Sequence, residues 1–241
     1  MSETTARPFL SVVIPAYNEE GRLGPSLVRV KDYLAAQTYQ SEVLVVDNAS
    51  TDRTSDVARR TGVEVIQEPK RGKGAAVRTG MLAARGEYVL FSDADLSTPI
   101  EEVEHLMAAL EAGRDIAIAS RALPESRLPV RQPWYRELVG RVGNILVRLV
   151  AVRGIADTQC GFKLFPREIA QRLFGAQRMG GIAFDMEVLF LAQRLGMKIA
   201  EVPVTWVDSP DTRISRVRDS MDALKDLARI RINWLLRRYR V

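Results

Sequence analysis

The stretch Glu87-Tyr88-Val89-Leu90-Phe91-Ser92-Asp93-Ala94-Asp95-Leu96-Ser97 places an apolar run directly before two carboxylates. A run of this kind predicts a buried strand, with Asp93 and Asp95 at its carboxyl end. Two carboxylates one residue apart can share a hard divalent cation, whose open positions suit the oxygens of a diphosphate. The alternative is a turn in which Asp95 or Ser97 caps a helix that starts near Pro99. The motif alone leaves both interpretations open.

Further runs on either side of this stretch predict the rest of a sheet. Strands are expected at 10–14, 42–46, 63–66, 87–91, 115–119 and 199–207. Helices are expected at about 20–36, 52–61, 74–85, 99–112 and 184–195. The first half of the chain therefore has a βαβα order, which predicts an α/β fold with a mostly parallel, doubly wound sheet.

Two segments of the chain are strongly basic. Residues 228–241 carry five arginines and no acid, and residues 121–153 carry seven arginines against Glu125 and Glu137. Apolar spacing predicts an amphipathic helix over 134–152 and one long helix over about 215–240. We expect one α/β domain over 1–212 and a basic amphipathic C-terminal helix over 213–241. Basic patches of this kind suit the phosphates of nucleic acids, lipid head groups or a phosphorylated acceptor.

Composition sets outer limits on the class of protein. With 241 residues, 46% of them hydrophobic, the chain can bury a full core. Its single cysteine, Cys160, excludes an internal disulfide framework and is expected to be a packed side chain rather than a nucleophile. The N-terminus has neither a secretory signal nor the run of about eighteen apolar residues that crosses a bilayer. These features favour the cytoplasm.

Polar side chains follow two other predicted strands. The first strand leads into Pro15-Ala16-Tyr17-Asn18-Glu19-Glu20, and the second into Asp47-Asn48-Ala49-Ser50-Thr51-Asp52. Ligands of an open parallel sheet collect beyond the carboxyl ends of its strands, so these segments should converge with Asp93 and Asp95. The alternative is structural, with Asp47 and Asp52 as capping residues and Tyr17 as a half-buried aromatic.

Taken in order, PAYNEE, VVDNASTD and DAD resemble the inverting glycosyltransferases of family 2, which have the GT-A fold. The resemblance implies that the base and ribose of a nucleotide sugar are held by Pro15, Tyr17, Glu19 and Asp47. It implies that Asp93, Ala94 and Asp95 form the DxD site, where Asp93 and Asp95 hold Mg²⁺ or Mn²⁺.

The segment Lys70-Arg71-Gly72-Lys73-Gly74-Ala75 precedes a predicted helix. Its glycines could let backbone amides and Lys73 approach a phosphate of the nucleotide sugar. A Rossmann dinucleotide site fits poorly, because the third glycine position is Val77 and the glycines do not follow the first strand.

The second half of the chain resembles the polyprenyl-phosphate sugar synthases, and most closely the dolichyl-phosphate β-glucosyltransferases. The resemblance rests on Ser120-Arg121, on Arg136, and on the segments 157–165, 184–187 and 202–206. It implies that Arg213 lies near the diphosphate. Two departures, Gly140 and Ser97, weaken a mannose assignment and leave the third metal ligand open.

The chemistry of a phosphate acceptor agrees with this branch of the family. A phosphate monoester has a second pKa of about 6, so it needs no general base at neutral pH. It needs cations instead, and Arg121 and Arg136 could orient it by charge-assisted hydrogen bonds. The expected catalytic residues are therefore Asp95, Arg121 and Arg136.

The resulting hypothesis is an inverting transfer of glucose from UDP-glucose to a polyprenyl phosphate. The enzyme would lie on the cytoplasmic face of a membrane, held by its basic helices or by an anchoring partner. One alternative uses GDP-mannose, and another uses a soluble hydroxyl acceptor with Asp185 or Asp157 as the base. Nucleic-acid binding is disfavoured, because the basic segments lack interleaved aromatic residues and a binding motif.

Overall fold

The computed structural model describes residues 7–127, 152–207 and 216–240, with side chains in the last segment from residue 225 onward. Its strands are β1 Leu10–Ala16, β2 Ser41–Asp47, β3 Glu64–Gln67, β4 Tyr88–Ser92, β5 Ile116–Ser120, β6 Phe162–Pro166 and β7 Ile199–Pro203. They form one sheet in the order β3-β2-β1-β4-β6-β5-β7. Neighbouring strands are parallel, except that β6 runs antiparallel to both β4 and β5.

The helices in the described residues are α1 Leu23–Ala35, α2 Thr54–Arg60, α3 Lys73–Ala83, α4 Val103–Glu111, α5 Arg167–Ala176, α6 Phe184–Arg194 and α7 Arg216–Leu235. The short 3₁₀ turn Ile100–Glu102 leads into α4. The helix predicted at 134–152 lies outside the described residues, apart from Val152. No helix in the described part of the chain is both long and apolar enough to span a bilayer.

Three elements differ from the sequence-based expectation. The sequence analysis predicted no strand or helix between residues 157 and 176, yet β6 and α5 lie there. Lys163 breaks the apolar run of β6, which hid the strand signal. β7 ends at Pro203 rather than at residue 207, in agreement with the poor fit of proline inside a ladder.

Alternating residues of the strands build two cores, one on each face of the sheet. Val13 and Phe91 pack on the face that is covered by α3, α5, α6 and α7. Val12 and Leu90 point to the other face, which α1, α2 and α4 cover. Successive side chains of a strand point to opposite faces, so continuous apolar strands are buried on both sides. The sheet is doubly wound, as predicted.

The strand order changes direction between β1 and β4. β1 pairs with β2 as far as Ala16 and Asp47, but with β4 only as far as Val13 and Phe91. Pro15 has no N–H to donate, so β1 cannot extend the ladder on the β4 side at that residue. The carboxyl ends of β1 and β4 therefore separate and open a crevice at the switch point, where ligands of such sheets bind.

The C-terminal helix packs on the sheet domain and then turns back. Leu227 and Ile230 of α7 are buried in the core that contains α6. The helix ends earlier than predicted, because Arg237 adopts a left-handed conformation with φ of 52°. The N–H groups of Arg237 and Arg238 then donate to the carbonyls of Trp234 and Asn233, in the pattern of a Schellman motif.

Candidate active site

Asp93 and Asp95 follow β4 at the mouth of the crevice. Asp93 Oδ1 accepts a hydrogen bond from Lys73 Nζ at 2.6 Å, and Asp95 Oδ1 accepts one from the backbone N–H of Ser97 at 3.0 Å. Pro99 precedes the 3₁₀ turn, and no side chain caps that turn or α4. The helix-capping interpretation of Asp95 and Ser97 was therefore wrong.

Gly161 fixes the position of Asp93 from the neighbouring strand. The N–H of Asp93 donates to the carbonyl of Gly161 at 2.9 Å. A Cβ atom at residue 161 would lie 1.9 Å from Asp93 Oδ2, far inside any permitted contact. Only glycine lets the β6 backbone pass this close to the carboxylate.

Gly161→Ala is expected to displace the Asp93 carboxylate. We expect the free energy of unfolding to fall by about 1–3 kcal/mol, as for other overpacked sites. Turnover should fall at least about tenfold, because Asp93 can no longer keep its place. Urea unfolding and steady-state kinetics check this, with Gly175→Ala, which has open space around it, as the control. Unchanged kinetics in Gly161→Ala would contradict the argument.

Lys73 lies among several carboxylates. Burial lowers the pKa of Lys73, but Asp93, Asp185 and Asp95 outweigh this effect, and the net pKa is raised. Lys73 therefore remains protonated and neutralises part of the negative charge beside β4. Phosphate binding by its ammonium group stays a prediction.

Lys163 and Asp185 form a buried ion pair behind Lys73. Lys163 lies opposite Phe91 in the sheet, and its Nζ donates to Asp185 Oδ1 and to the carbonyl of Cys160, each at 2.6 Å. Their side chains are only 2% and 4% exposed. Burial raises the pKa of Asp185, and the two lysines offset this only in part. Sequence analysis gave Lys163 no role, although a lysine inside an apolar strand is a sign of a buried partner.

The donor set at β4 fits a hard divalent cation. Asp93 and Asp95 supply carboxylate oxygens of the kind that Mg²⁺ and Mn²⁺ prefer, and the Asp93 side chain is about one-third exposed. Within residues 7–127, 152–207 and 216–240 there is no group of three or more acidic, histidine or cysteine side chains that could hold a metal. Two protein ligands leave room for oxygens of a bound diphosphate.

The segments after β1 and β2 are joined by side-chain hydrogen bonds. Asn18, which has φ of 54°, accepts the N–H of Thr51 at 2.8 Å on its Oδ1. Its own N–H donates to Ser50 Oγ at 3.0 Å. Asp52 accepts the N–H groups of Glu20 and Thr54, but the N-cap residue of α2 is Arg53 and no side chain caps the helix, so the helix-cap interpretation of Asp52 was wrong. The two segments form one wall of the crevice.

The predicted nucleotide-binding residues on this wall differ in their burial and in their hydrogen-bond partners. Asp47 is buried, and its two oxygens accept hydrogen bonds from the N–H of Ser50 and the hydroxyl of Ser55. Burial raises the pKa of Asp47, but these hydrogen bonds outweigh it and hold the pKa below its usual value. The Glu19 carboxylate pairs with Arg22 on both oxygens. Pro15 is buried at the end of β1.

Tyr17 is exposed at the rim of the same wall. Arg71 donates to its hydroxyl, and the guanidinium carbon lies 4.5 Å from the ring centroid. Arg71 is a site residue that sequence analysis did not single out. Because Arg71 contacts Tyr17 and Lys73 contacts Asp93, the loop 70–73 connects the wall to the carboxylates.

The glycines of this loop allow close packing against the segment at Gly180, and phosphate binding by the loop stays a prediction. A Cβ at Gly72 would lie 2.2 Å from the carbonyl oxygen of Gly180, and one at Gly74 would lie 2.7 Å from that of Met179. The N–H of Ala75 donates to Gly180 O at 3.0 Å. In the segment 70–75, Lys73 is the residue whose side chain could contact a ligand.

Arg121 is held in place by a buried aspartate. Its Nε and Nη2 donate to the two Asp157 oxygens at 2.6 and 2.9 Å, Nη1 donates no hydrogen bond to a described residue, and the guanidinium carbon lies 5.5 Å from the Trp206 ring centroid. Burial lowers the pKa of Arg121, but Asp157 and, more weakly, Asp93 raise it overall. Burial tends to raise the pKa of Asp157, but the charge and the hydrogen bonds of Arg121 outweigh this effect and hold the pKa below its usual value. Glu201 in turn accepts the N–H of Asp157 at 2.7 Å.

The structure thus brings Asp93, Asp95, Lys73 and Arg121 into one electrostatic cluster. Ala94 is buried between the two aspartates. Arg136 and Arg213 lie outside the described residues. Cys160 is buried, as predicted, and burial raises the pKa of its thiol to about 11, which is far too high for a nucleophile at neutral pH.

Known proteins resemble this chain over most of its length. A sequence model of glycosyl transferase family 2 matches residues 11–174. Dolichyl-phosphate beta-glucosyltransferase of Homo sapiens is 38% identical, with 96% of this chain and 78% of the relative covered. The enzyme of the same name from Dictyostelium discoideum is 35% identical, with 95% and 75% covered.

Solved structures show the same architecture. Glucosyl-3-phosphoglycerate synthase from Mycobacterium tuberculosis, crystallised with Mn²⁺ and UDP-glucose, aligns with a TM-score of 0.68 at 26% identity. The alignment covers 97% of this chain and 79% of that one. The fold is therefore GT-A, and the chain belongs to glycosyltransferase family 2.

Proposed function

We propose that this chain transfers glucose from UDP-glucose to a polyprenyl phosphate of the dolichyl type. The product would be a β-linked lipid-phosphate sugar, formed with inversion at C1. The names of the relatives and their alignment over nearly the whole chain support the acceptor and the sugar. The UDP-glucose and Mn²⁺ bound by the mycobacterial enzyme support the donor and the metal.

The observation that carries the proposal is the state of the two carboxylates that could act as a base. Asp157 is buried, both of its carboxylate oxygens accept hydrogen bonds from Arg121, and its pKa is below the usual value. Asp185 is buried and paired with Lys163. Neither is free to take a proton from a hydroxyl acceptor, whereas a phosphate acceptor needs no such base.

The residues then divide into a donor side and an acceptor side. Asp93 and Asp95 would hold a divalent cation, which when bound neutralises the charge of the departing UDP. Lys73 places a second positive charge beside Asp93. Arg121, oriented by Asp157, offers Nη1 to the acceptor phosphate and offsets its repulsion from the donor.

A panel of donors and acceptors tests this function. UDP-glucose and GDP-mannose are each incubated with Mn²⁺ and with dolichyl phosphate, 3-phosphoglycerate or no acceptor, and release of the nucleotide diphosphate is followed. We expect release that depends on both UDP-glucose and dolichyl phosphate. Release that depends on 3-phosphoglycerate, or that prefers GDP-mannose, would overturn the acceptor or the donor assignment, respectively.

The end of α7 offers a surface for the membrane that carries such an acceptor. Ile232, Leu235 and Leu236 are 51%, 77% and 55% exposed, and Arg231 and Arg237 lie among them in the sequence. Apolar side chains next to arginines are typical of helices that lie on anionic bilayers. We propose peripheral attachment through this surface, with an anchoring partner as the competing explanation.

Replacing Ile232, Leu235 and Leu236 by serine is expected to weaken binding to anionic vesicles by about tenfold or more, because less apolar area enters the bilayer. Flotation with phosphatidylglycerol vesicles measures the effect. Val28→Ser is the matched control, since Val28 is equally exposed but lies on α1. Unchanged flotation of the triple variant would favour a partner as the anchor.

A further inference from the structure

A cleft of about 400 Å³ lies between α7 and the loop that joins α5 to α6. Four cationic side chains line it, Lys70, Arg178, Arg229 and Arg238, together with Asn233 and the backbone at Gly180. No carboxylate is among the described residues that line it. The mechanism proposed above uses none of these side chains.

The arginines of the cleft are held by hydrogen bonds. Arg178 Nε and Nη2 donate to the carbonyl of Arg238 at 3.0 and 2.6 Å. Arg238 Nη1 donates to Oδ1 of Asn233, which is buried, at 3.3 Å. The backbone on both sides is fixed as well, because Glu187 accepts the N–H of Arg178 and the hydroxyl of Tyr239. The cleft is therefore built before any ligand binds.

The charges of the cleft are balanced only in part by the described residues, since Glu187 interacts with Arg178 alone among the four cations. Lys70 and Arg229 form no side-chain ion pair with any described residue. The guanidinium groups of Arg178 and Arg238 donate to uncharged oxygens, those of a backbone carbonyl and of an asparagine side chain. Like charges that converge without a counter-charge repel one another. Guanidinium groups have the donor geometry that suits phosphate oxygens.

We propose that this cleft binds a phosphate group, as a second anion site beside the donor site. The cleft is also linked to the active site, since Gly180 accepts the N–H of Ala75 two residues after Lys73. An anion in the cleft would hold together α7, the loop at Gly180 and the start of α3. The proposal does not depend on the identity of the sugar or the lipid.

Inorganic phosphate is the probe for the first test. Isothermal titration in EDTA at constant ionic strength compares the full chain with Arg229→Gln and Lys70→Gln, which are exposed and should fold normally. We expect phosphate binding to weaken roughly tenfold in each variant, as for loss of a charged hydrogen bond. Arg231→Gln, which removes the same charge from α7 outside the cleft, should bind as the unaltered chain does. Equal binding in all four proteins, or an equal loss in Arg231→Gln, would overturn the proposal.

A second test separates a lipid head group from a soluble phosphate. Flotation with phosphatidic acid vesicles is repeated with added inorganic phosphate, at matched ionic strength. If inorganic phosphate reduces vesicle binding of the unaltered chain but not of Arg229→Gln, the occupant of the cleft is a lipid head group. Arg229-dependent binding of phosphate without any competition identifies a soluble phosphate compound. Either result supports the site, whereas UDP-glucose turnover is measured separately and reports only on the proposed reaction.

Discussion

Asp95→Asn is expected to reduce kcat/KM for sugar transfer by about a thousandfold, the effect of losing a ligand to a charge-neutralising cation. Among the described residues, the Asp95 side chain accepts a single hydrogen bond, from the N–H of Ser97, and it contributes to the raised pKa of Lys73. The substitution keeps the size of the side chain and removes its charge, so the fold should be nearly unaffected. Nucleotide release at saturating Mn²⁺ measures the rate, and a Mn²⁺ titration followed by electron paramagnetic resonance measures affinity.

Asp56→Asn is the matched control for this variant. Asp56 is exposed on α2 and, within the part of the chain that the structure describes, its ion pair is with Arg59, so its loss should leave both rate and Mn²⁺ affinity unchanged. Near-normal turnover of Asp95→Asn with metal present would show that the cation is held elsewhere.

Lys163→Met is expected to lower the free energy of unfolding by about 3–5 kcal/mol, because Asp185 would be left buried without its partner. Both side chains are almost fully buried, so water cannot replace the lost contact. Urea unfolding measures the effect. Lys198→Met, at an exposed position, should change the stability by less than about 0.5 kcal/mol.

A double variant separates the charge from the packing. Lys163→Met combined with Asp185→Leu replaces the pair by apolar side chains and should recover most of the lost stability. Its activity should be lower than that of the unaltered chain, because Lys73 would lose the nearby negative charge of Asp185. A Lys163→Met protein that unfolds at the same urea concentration as the unaltered chain would contradict a buried pair.

Much of the fold follows from the sequence because the pattern is physically simple. Continuous apolar runs such as that before Asp93 have to be covered on both faces, and helices between them make the strands parallel. The carboxyl ends of β1, β2 and β4 then meet at one edge, which is why PAYNEE, VVDNASTD and DAD converge.

The remaining elements depend on contacts that a local pattern does not contain. β6 is antiparallel, and its charged Lys163 is stable only because Asp185, 22 residues away, faces it. The glycines of the 70–75 segment also pack closely against Gly180, a contact that the local sequence does not contain. Likewise, Arg121 was predicted from the family resemblance and from the need of a phosphate acceptor for cations, whereas its orientation comes from Asp157, far along the chain.

The most direct test of the metal site is a crystal of the chain soaked with Mn²⁺ and UDP-glucose. Anomalous scattering locates the Mn²⁺ without ambiguity. We expect one anomalous peak in contact with carboxylate oxygens of Asp93 and Asp95 and with the diphosphate of the donor. A peak elsewhere, or a donor bound away from the ends of β1 and β4, would contradict the account.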